Sequence, residues 1–237
     1  MKKIFFHGGS FIVGSPGQPE YHRYVNSLVA GARVVAVSVG YRLAPEHLLP
    51  AAFDDGRAAL RWAVSGAADA WLSDHGDPRR VFVAGASAGA NIAHDVTATA
   101  IAGGERVQGM VLLHPSFGGE QKLREEDEAF WRSEQARWEV IFPSAIGGLD
   151  DPRINPMAAA AASPGGGARR LLVCTASEDP RAVRGRAYCA AVRGSGWRGK
   201  LEWLESEGEG HCFFLSNPGS RDALQLMDHV LAFLAAD

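Results

Sequence analysis

Short apolar runs alternate with longer segments of helical pattern along this 237-residue chain, and this alternation is the feature that most constrains its fold. The runs are rich in β-branched and aromatic residues and are too short for helices. Continuous apolar runs indicate strands that are buried on both faces, as in a parallel sheet covered by helices. The pattern therefore predicts an α/β fold with strands at Ile4–Phe6, Val34–Val39, Val81–Ala84, Met110–Leu113, Leu171–Thr175 and Leu201–Leu204.

Helices are expected in the longer segments between and after these runs, because apolar residues recur there at helical spacing. A charged stretch at 121–142 also carries several large aromatic residues, which is typical of a helix inserted over the end of a sheet. We expect one domain over residues 1–237, with a cap-like insertion around 117–160. The predicted helices are Asp54–Val64, Ala90–Ala102, Arg184–Arg193 and Asp222–Ala235.

Charge and cysteine content exclude several classes of partner. The 24 basic and 27 acidic residues are well mixed, so no basic face indicates binding to nucleic acid or to an anionic membrane. The apolar run of the opening MKKIFF stops at His7, which is too short for a signal peptide or a membrane span. Three cysteines in no metal-ligand spacing favour a reducing compartment, so we expect a cytoplasmic protein without a metal.

The sequence GASAG places Ser87 between two glycines, after a predicted strand and before a predicted helix. This pattern matches the nucleophile elbow, a sharp turn that projects a serine hydroxyl above the carboxyl edge of a sheet. Close packing between the strand and the helix would explain the same small residues without any chemistry. The elbow hypothesis therefore requires a base and an acid elsewhere in the chain.

Both partners follow later predicted strands. A serine hydroxyl needs a base, which is usually a histidine oriented by a carboxylate. In α/β-hydrolases these residues follow the serine in the order Asp or Glu, then His. Asp179 follows the fifth predicted strand and His211 follows the sixth, so we interpret them as acid and base. Glu178 is an alternative to Asp179, and both acids could instead simply solvate a loop.

A glycine-rich loop follows the first predicted strand. The sequence HGGSF resembles the HGGG-type loop whose backbone N–H groups contribute to an oxyanion hole in this fold. We interpret Gly8 and Gly9, together with the N–H of Ala88, as the oxyanion donors, and His7 as a brace for the loop. A purely structural tight turn is the alternative.

Six motifs in order along nearly the whole chain resemble the plant carboxylesterases of the hormone-sensitive-lipase-like group of α/β-hydrolases. They are HGGSF, YRLAPEH, PAAFDD, GASAGANIAH, DDPRINP and EGEGHCFF. The resemblance implies hydrolysis of small-molecule carboxylic esters through an acyl-enzyme, with neither a metal nor an organic cofactor. It places the nucleophile at Ser87, the acid at Asp179, the base at His211 and the oxyanion glycines at Gly8 and Gly9. Departures from the family pattern occur at Ser10, Ala86 and Pro180-Arg181.

Two other activities are found among proteins that this chain resembles. The gibberellin receptors also carry HGGSF and bind a hormone without hydrolysing it, but they have lost the base. The presence of His211 therefore favours an enzyme. Dehydratase-type elimination also occurs among relatives, and the intact Ser-Asp-His set favours hydrolysis over it.

The position of HGGSF in the chain carries a further expectation. The family places this loop after a third strand, whereas only six residues precede it here. We therefore expect a member shortened at its N-terminus, without the first two strands and the N-terminal cap. The strand at Val34–Val39 would then have an open apolar edge, which predicts self-association.

Overall fold

The structure is a computed structural model that describes residues 1–65, 69–77, 79–158 and 166–236. It contains a six-stranded parallel sheet in the order β2-β1-β3-β4-β5-β6. Each predicted strand is present, and most extend by one or two residues beyond the predicted bounds. The strands are β1 Lys2–Phe6, β2 Val35–Val39, β3 Val81–Ala86, β4 Gly109–Leu113, β5 Arg170–Ala176 and β6 Lys200–Ser206.

Helices cover both faces of the sheet. The four predicted helices form, the charged stretch at 121–142 contains a fifth, and the described residues contain three more. The helices are α1 Pro19–Ala32, α2 Ala51–Val64, α3 Ala70–His75, α4 Ala88–Ala102, α5 Glu128–Ile141, α6 Ala182–Gly194, α7 Phe213–Ser216 and α8 Arg221–Ala235. The α/β prediction is confirmed.

Alternate residues of each strand enter two separate hydrophobic clusters, because successive side chains of a strand point to opposite faces. Ile4 and Phe6 of β1 pack with α2, α4 and α6, whereas Phe5 packs with α1, α7 and α8. The four central strands are fully buried, in agreement with their continuous apolar runs. Because the core packs against both faces of the sheet, it fixes the positions of the strand ends from which the loops at the carboxyl edge begin.

The connection between β4 and β5 contains α5. Asp127 caps the start of this helix, because its carboxylate accepts a hydrogen bond from the N–H of Phe130. Trp138 and Ile141 of this helix are buried in the same cluster as Phe11 of the glycine-rich loop. The expected cap-like insertion corresponds to this segment, although residues 159 and 160 lie outside the described part of the chain. The division into one domain with a cap stays a prediction.

The two outer strands of the described sheet each pair on one side. β2 pairs with β1, and β6 pairs with β5. The side chains of β2 are mostly half-buried. Self-association through β2 stays a prediction, which light scattering at micromolar concentration tests directly.

Candidate active site

Ser87 lies at the junction of β3 and α4 with backbone angles φ 53° and ψ −121°. This conformation is unfavourable for a residue with a Cβ atom, and the surrounding packing holds it in place. A Cβ atom on Gly85 would overlap the carbonyl of Gly89, and one on Gly89 would overlap the carbonyls of Phe6 and His7. The two glycines flanking Ser87 are therefore required for the close approach of strand, turn and helix.

His211 connects Ser87 to Asp179. Its Nε2 atom lies 2.8 Å from the Oγ atom of Ser87, and its Nδ1 atom lies 2.6 Å from Oδ2 of Asp179. The N–H of Arg181 donates to the other carboxylate oxygen of Asp179 at 2.9 Å. Glu178, the alternative acid, is exposed to solvent. The structure thus brings together the three residues that the sequence singles out, over separations of 32 and 124 residues.

The environment of Asp179 favours the ionised carboxylate. Burial alone would raise the pKa of Asp179, but the nearby rings of His114 and His211 and the hydrogen bond from the N–H of Arg181 outweigh burial and hold this pKa well below its usual value of 3.8. An ionised carboxylate accepts the proton on Nδ1 of His211, which leaves Nε2 free to accept the hydroxyl proton of Ser87.

His114 is a buried neighbour of this set that the sequence did not single out. Its Nδ1 atom lies 3.7 Å from Oδ2 of Asp179, which is too long for a hydrogen bond, and accepts the N–H of Cys212 at 3.1 Å. His114 therefore supports the loop that carries His211. The sequence could have identified His114, because it directly follows the predicted strand Met110–Leu113. Residues that follow parallel strands lie together at the carboxyl edge of the sheet.

The glycine-rich loop lies directly against Ser87. A Cβ atom on Gly8 would be 3.0 Å from the Cβ of Ser87, and Gly9 adopts a φ of 112°, which favours glycine. Among the residues that the structure describes, no backbone carbonyl accepts a hydrogen bond from the N–H of Gly8, Gly9 or Ala88, whereas the Tyr21 hydroxyl interacts with the backbone of Gly8. Ala88 is the first residue of α4, so its N–H also lies at the positive end of that helix dipole.

His7 and Tyr41 hold the glycine-rich loop in position. The Nδ1 atom of His7 lies 2.7 Å from the carbonyl oxygen of Gly8, and the Tyr41 hydroxyl donates to the carbonyl of His7 at 2.8 Å. The two rings are stacked with their centroids 4.3 Å apart. These contacts agree with the predicted bracing role of His7 and add Tyr41 to it.

A groove of about 410 Å³ adjoins the site, and both Gly9 and His211 line it. Its other lining residues include Val13 near the glycine-rich loop, Tyr21 at the start of α1 and Leu215 in the segment after His211. The groove offers room for a small organic group next to the base and the glycine-rich loop.

One set of metal-capable side chains is found in the described part of the chain. Ligand atoms of His114, His211 and Cys212 lie within 4.8 Å of one another. Burial raises the pKa of the Cys212 thiol well above its usual value, so the thiolate that a metal would bind is disfavoured. His211 is already engaged with Ser87 and Asp179. These residues fit an acid-base set better than a metal site.

Comparison with known proteins places the chain in a family. Residues 3–215 match the family model described as alpha/beta hydrolase fold. "Probable carboxylesterase 3" of Arabidopsis thaliana is 40% identical over 98% of this chain and 75% of its own length. "2-hydroxyisoflavanone dehydratase" of Glycyrrhiza echinata is 39% identical over the same shares. "Tuliposide A-converting enzyme b1, amyloplastic" of Tulipa gesneriana is 39% identical over 99% of this chain, which spans 63% of that protein.

Solved structures agree with these relatives. An esterase from Pyrobaculum calidifontis superposes with a TM-score of 0.81 at 26% identity, covering 98% of this chain and 75% of the esterase. An ester-hydrolase from the metagenome of Lake Arreo gives a TM-score of 0.81 at 28% identity, covering 98% of this chain and 72% of the other. Within the described residues, no helix is long and apolar enough to cross a membrane. The chain therefore belongs to the α/β-hydrolase fold family, as a carboxylic ester hydrolase of the carboxylesterase type similar to the plant enzymes of the hormone-sensitive-lipase-like group.

Proposed function

We propose that this protein hydrolyses small-molecule carboxylic esters through a Ser87-His211-Asp179 triad and an acyl-enzyme intermediate. The observation that carries the proposal is the position of His211, which lies within hydrogen-bond distance of both Ser87 Oγ and the Asp179 carboxylate. This arrangement makes the hydroxyl a nucleophile at neutral pH, because the imidazole can take its proton as the C–O bond forms.

In the proposed first step, Ser87 Oγ attacks the ester carbonyl and His211 takes the hydroxyl proton at Nε2. The N–H groups of Gly8, Gly9 and Ala88 stabilise the negative charge on the carbonyl oxygen. His211 then gives its proton to the departing alcohol, which leaves the acyl group on Ser87. In the second step, a water molecule loses a proton to His211, attacks the acyl carbonyl and releases the acid together with free Ser87.

The test is active-site labelling with a fluorophosphonate, followed by peptide mass spectrometry, beside hydrolysis of p-nitrophenyl acetate. We expect the adduct on Ser87 and a loss of nearly all turnover in Ser87→Ala. Ser195→Ala, which changes a serine at the end of α6, is the matched control and should keep wild-type turnover. Near-wild-type hydrolysis by Ser87→Ala would refute the triad.

The same experiment decides between hydrolysis and the alternatives. A folded protein that forms no adduct would favour a ligand-binding role without turnover. An elimination, as the name of the Glycyrrhiza relative indicates for that protein, would proceed without an acyl-enzyme. Ester turnover that depends on Ser87 would therefore favour hydrolysis over both.

A cytoplasmic location is part of this proposal and rests on the three cysteines, all of which are free thiols. Relatives from tulip carry the words amyloplastic or chloroplastic in their names. Localisation of a tagged full-length protein in plant cells tests this part separately from the chemistry.

A further inference from the structure

Two arginines meet beside the acid of the proposed triad. Arg181 comes from the loop after β5 and Arg137 comes from α5. Both guanidinium groups contact the carboxylate of Glu134: Arg181 Nη2 lies 2.9 Å from Oε1, and Arg137 Nη2 lies 2.6 Å from Oε2. Both also donate to the hydroxyl of Ser116 at 3.3 Å. We call Arg137 and Arg181 the arginine pair.

The charges within this cluster are not balanced. Burial alone would raise the pKa of Glu134, but its ion pairs with the arginine pair outweigh burial and lower the pKa, so Glu134 is a carboxylate. Two guanidinium groups therefore face one carboxylate. The Nη1 atom of Arg137 is buried and has no hydrogen-bond partner in the described part of the chain. A buried cationic donor without a partner is costly, and an anion would satisfy it.

The cluster lies near the acid and the base of the proposed triad, since the charges of Glu134 and His211 are close enough to interact. The backbone N–H of Arg181 donates to Asp179, and Ser116 lies two residues after His114, whose ring is 3.7 Å from the same carboxylate. Nη1 of Arg137 is buried, but the side chains of Arg137 and Arg181 keep 14% and 18% of their surface exposed, so solvent reaches the edge of the arginine pair. The Asp179 carboxylate is itself buried and already accepts hydrogen bonds from His211 and from the Arg181 N–H.

Aromatic rings hold both guanidinium groups in place. The Cζ atom of Arg181 lies 5.0 Å from the ring centroid of Phe130, and that of Arg137 lies 4.8 Å from the ring centroid of Trp138. These distances allow cation–π attraction, and they keep the planar groups oriented before a ligand arrives. Such preorganisation reduces the entropy lost when a carboxylate binds.

We infer that the arginine pair is a subsite for a carboxylate carried by the substrate, so that the preferred substrates are esters with a free carboxylate on the acyl or the alcohol side. This inference rests on the proposed function, because it names a substrate class for the same site. Arginine suits the role, since its planar fork matches the two oxygens of a carboxylate.

A structural role makes a different prediction. If the cluster served only to fasten α5 to the loop after β5, removal of any member would disturb the site for every ester equally. A carboxylate subsite instead makes the effects depend on the charge of the substrate. It also predicts that loss of a guanidinium lowers the preference for anionic over neutral esters, whereas loss of the Glu134 carboxylate raises it. The reason is that Glu134 competes with the substrate for the arginine pair.

The experiment measures the ratio of kcat/KM for an anionic ester to that for a neutral ester of similar size. For a carboxylate on the acyl side, the probes are 4-methylumbelliferyl hydrogen adipate and 4-methylumbelliferyl heptanoate. For one on the alcohol side, they are 4-acetoxybenzoate and 4-acetoxybenzamide. Rates measured with Ser87→Ala are subtracted as background. If substitutions in the arginine pair change the ratio for only one of these two pairs of probes, that pair shows whether the substrate carries its carboxylate on the acyl or on the alcohol side.

We expect the ratio to fall about tenfold or more in Arg137→Gln and in Arg181→Gln, and to rise in Glu134→Gln. Arg132→Gln is the matched control, because Arg132 is an exposed arginine on the same helix, and it should leave the ratio unchanged. Circular dichroism checks folding. Glu134→Gln keeps the inference testable if an arginine variant does not fold.

Three results would overturn the inference. Equal changes for anionic and neutral esters in all cluster variants would assign the cluster a structural role alone. Hydrolysis of neither ester by the folded wild-type protein would refute the proposed function and, with it, this inference. Hydrolysis of the neutral ester with ratios that no variant changes would refute the inference and leave the proposed function standing.

Discussion

Glu178 and Asp179 are adjacent in the chain, yet their carboxylates are in opposite environments. Asp179 is buried, with its Oδ2 atom 2.6 Å from Nδ1 of His211, whereas Glu178 is exposed. The turn after β5 produces this difference, because the N–H of Arg181 donates back to Asp179 and directs that side chain into the site. The sequence alone left the two acids as alternatives, and the turn separates them.

We expect Asp179→Asn to lower kcat/KM for p-nitrophenyl acetate roughly 1,000- to 10,000-fold, because the amide would leave His211 in the wrong tautomer. Glu178→Gln makes the same chemical change at the neighbouring residue and should keep activity within about twofold of wild type. Steady-state kinetics of both variants measure the difference. Equal losses in the two variants would contradict the assignment of Asp179.

The stability of the protein should fall as the pH drops through 6.5, and His114 should account for part of the fall. Burial lowers the pKa of the His114 ring below 6.5. Below pH 6.5 the unfolded chain takes up a proton at this residue while the folded protein does not, so protons favour unfolding. The free energy of unfolding then falls by up to about 1.4 kcal/mol per pH unit from this group, down to its lowered pKa.

Urea unfolding of the wild type and of His114→Gln at several pH values between 7.5 and 5.5 tests this expectation. The variant should be less stable than the wild type at pH 7.5, since it loses packing in the core, but its stability should fall less steeply with pH. Parallel slopes in the two proteins would show that the buried ring does not resist protonation.

Gly85→Ala should destabilise the protein by about 3 kcal/mol or more, because the added methyl group would overlap the carbonyl of Gly89 at the crossing of β3 and α4. Gly194→Ala is the control, since no atom lies within 4 Å of the added group at the end of α6. Urea midpoints compare the two. A Gly85→Ala protein as stable as Gly194→Ala would contradict the close approach.

The buried ion pair between Glu126 and Arg184 should make Glu126→Ala destabilising by about 3–5 kcal/mol, because the substitution leaves a buried guanidinium without its carboxylate. Arg184 Nη2 lies 2.9 Å from Oε2 of Glu126, and both side chains are almost fully buried. Glu128→Ala removes an exposed acid two residues away and should change the free energy of unfolding by less than about 1 kcal/mol. Similar losses in both variants would indicate that Arg184 finds other partners.

Much of the fold could be predicted because fully buried parallel strands carry their signal locally, as unbroken apolar runs such as Val81–Ala84. α1 was not predicted, although Tyr21, Tyr24, Val25 and Leu28 are buried on one side of it. These four residues have the i, i+3, i+4, i+7 spacing of a helix, and the polar residues His22, Asn26 and Ser27 lie on the exposed face, so the pattern was present in the sequence and was missed. α7 was missed because a helix of four residues has no recognisable period.

The candidate site divides in the same way. Each member of the proposed triad, Ser87, Asp179 and His211, follows a strand. Parallel strands end at the same edge of a sheet, so the position of these residues in the sequence is enough to predict that they lie near one another. The contact between Arg181 and Glu134 spans 47 residues and joins a loop to a helix inserted from elsewhere in the chain. The sequence around either residue does not predict this ion pair, because each resembles an ordinary charged residue on the surface.

The residues of the candidate site are distributed over the whole sheet, and His211 follows β6, which pairs with β5 alone among the described strands. A chain that has collapsed around β1, β3 and β4 would hold Ser87 and Gly8 but would lack the base. Reactivity of Ser87 with a fluorophosphonate therefore requires β6 to be docked as well as the central strands to be formed. During refolding, fluorophosphonate labelling should return only with the docking of the outermost strand, after the central core has already become protected from hydrogen exchange.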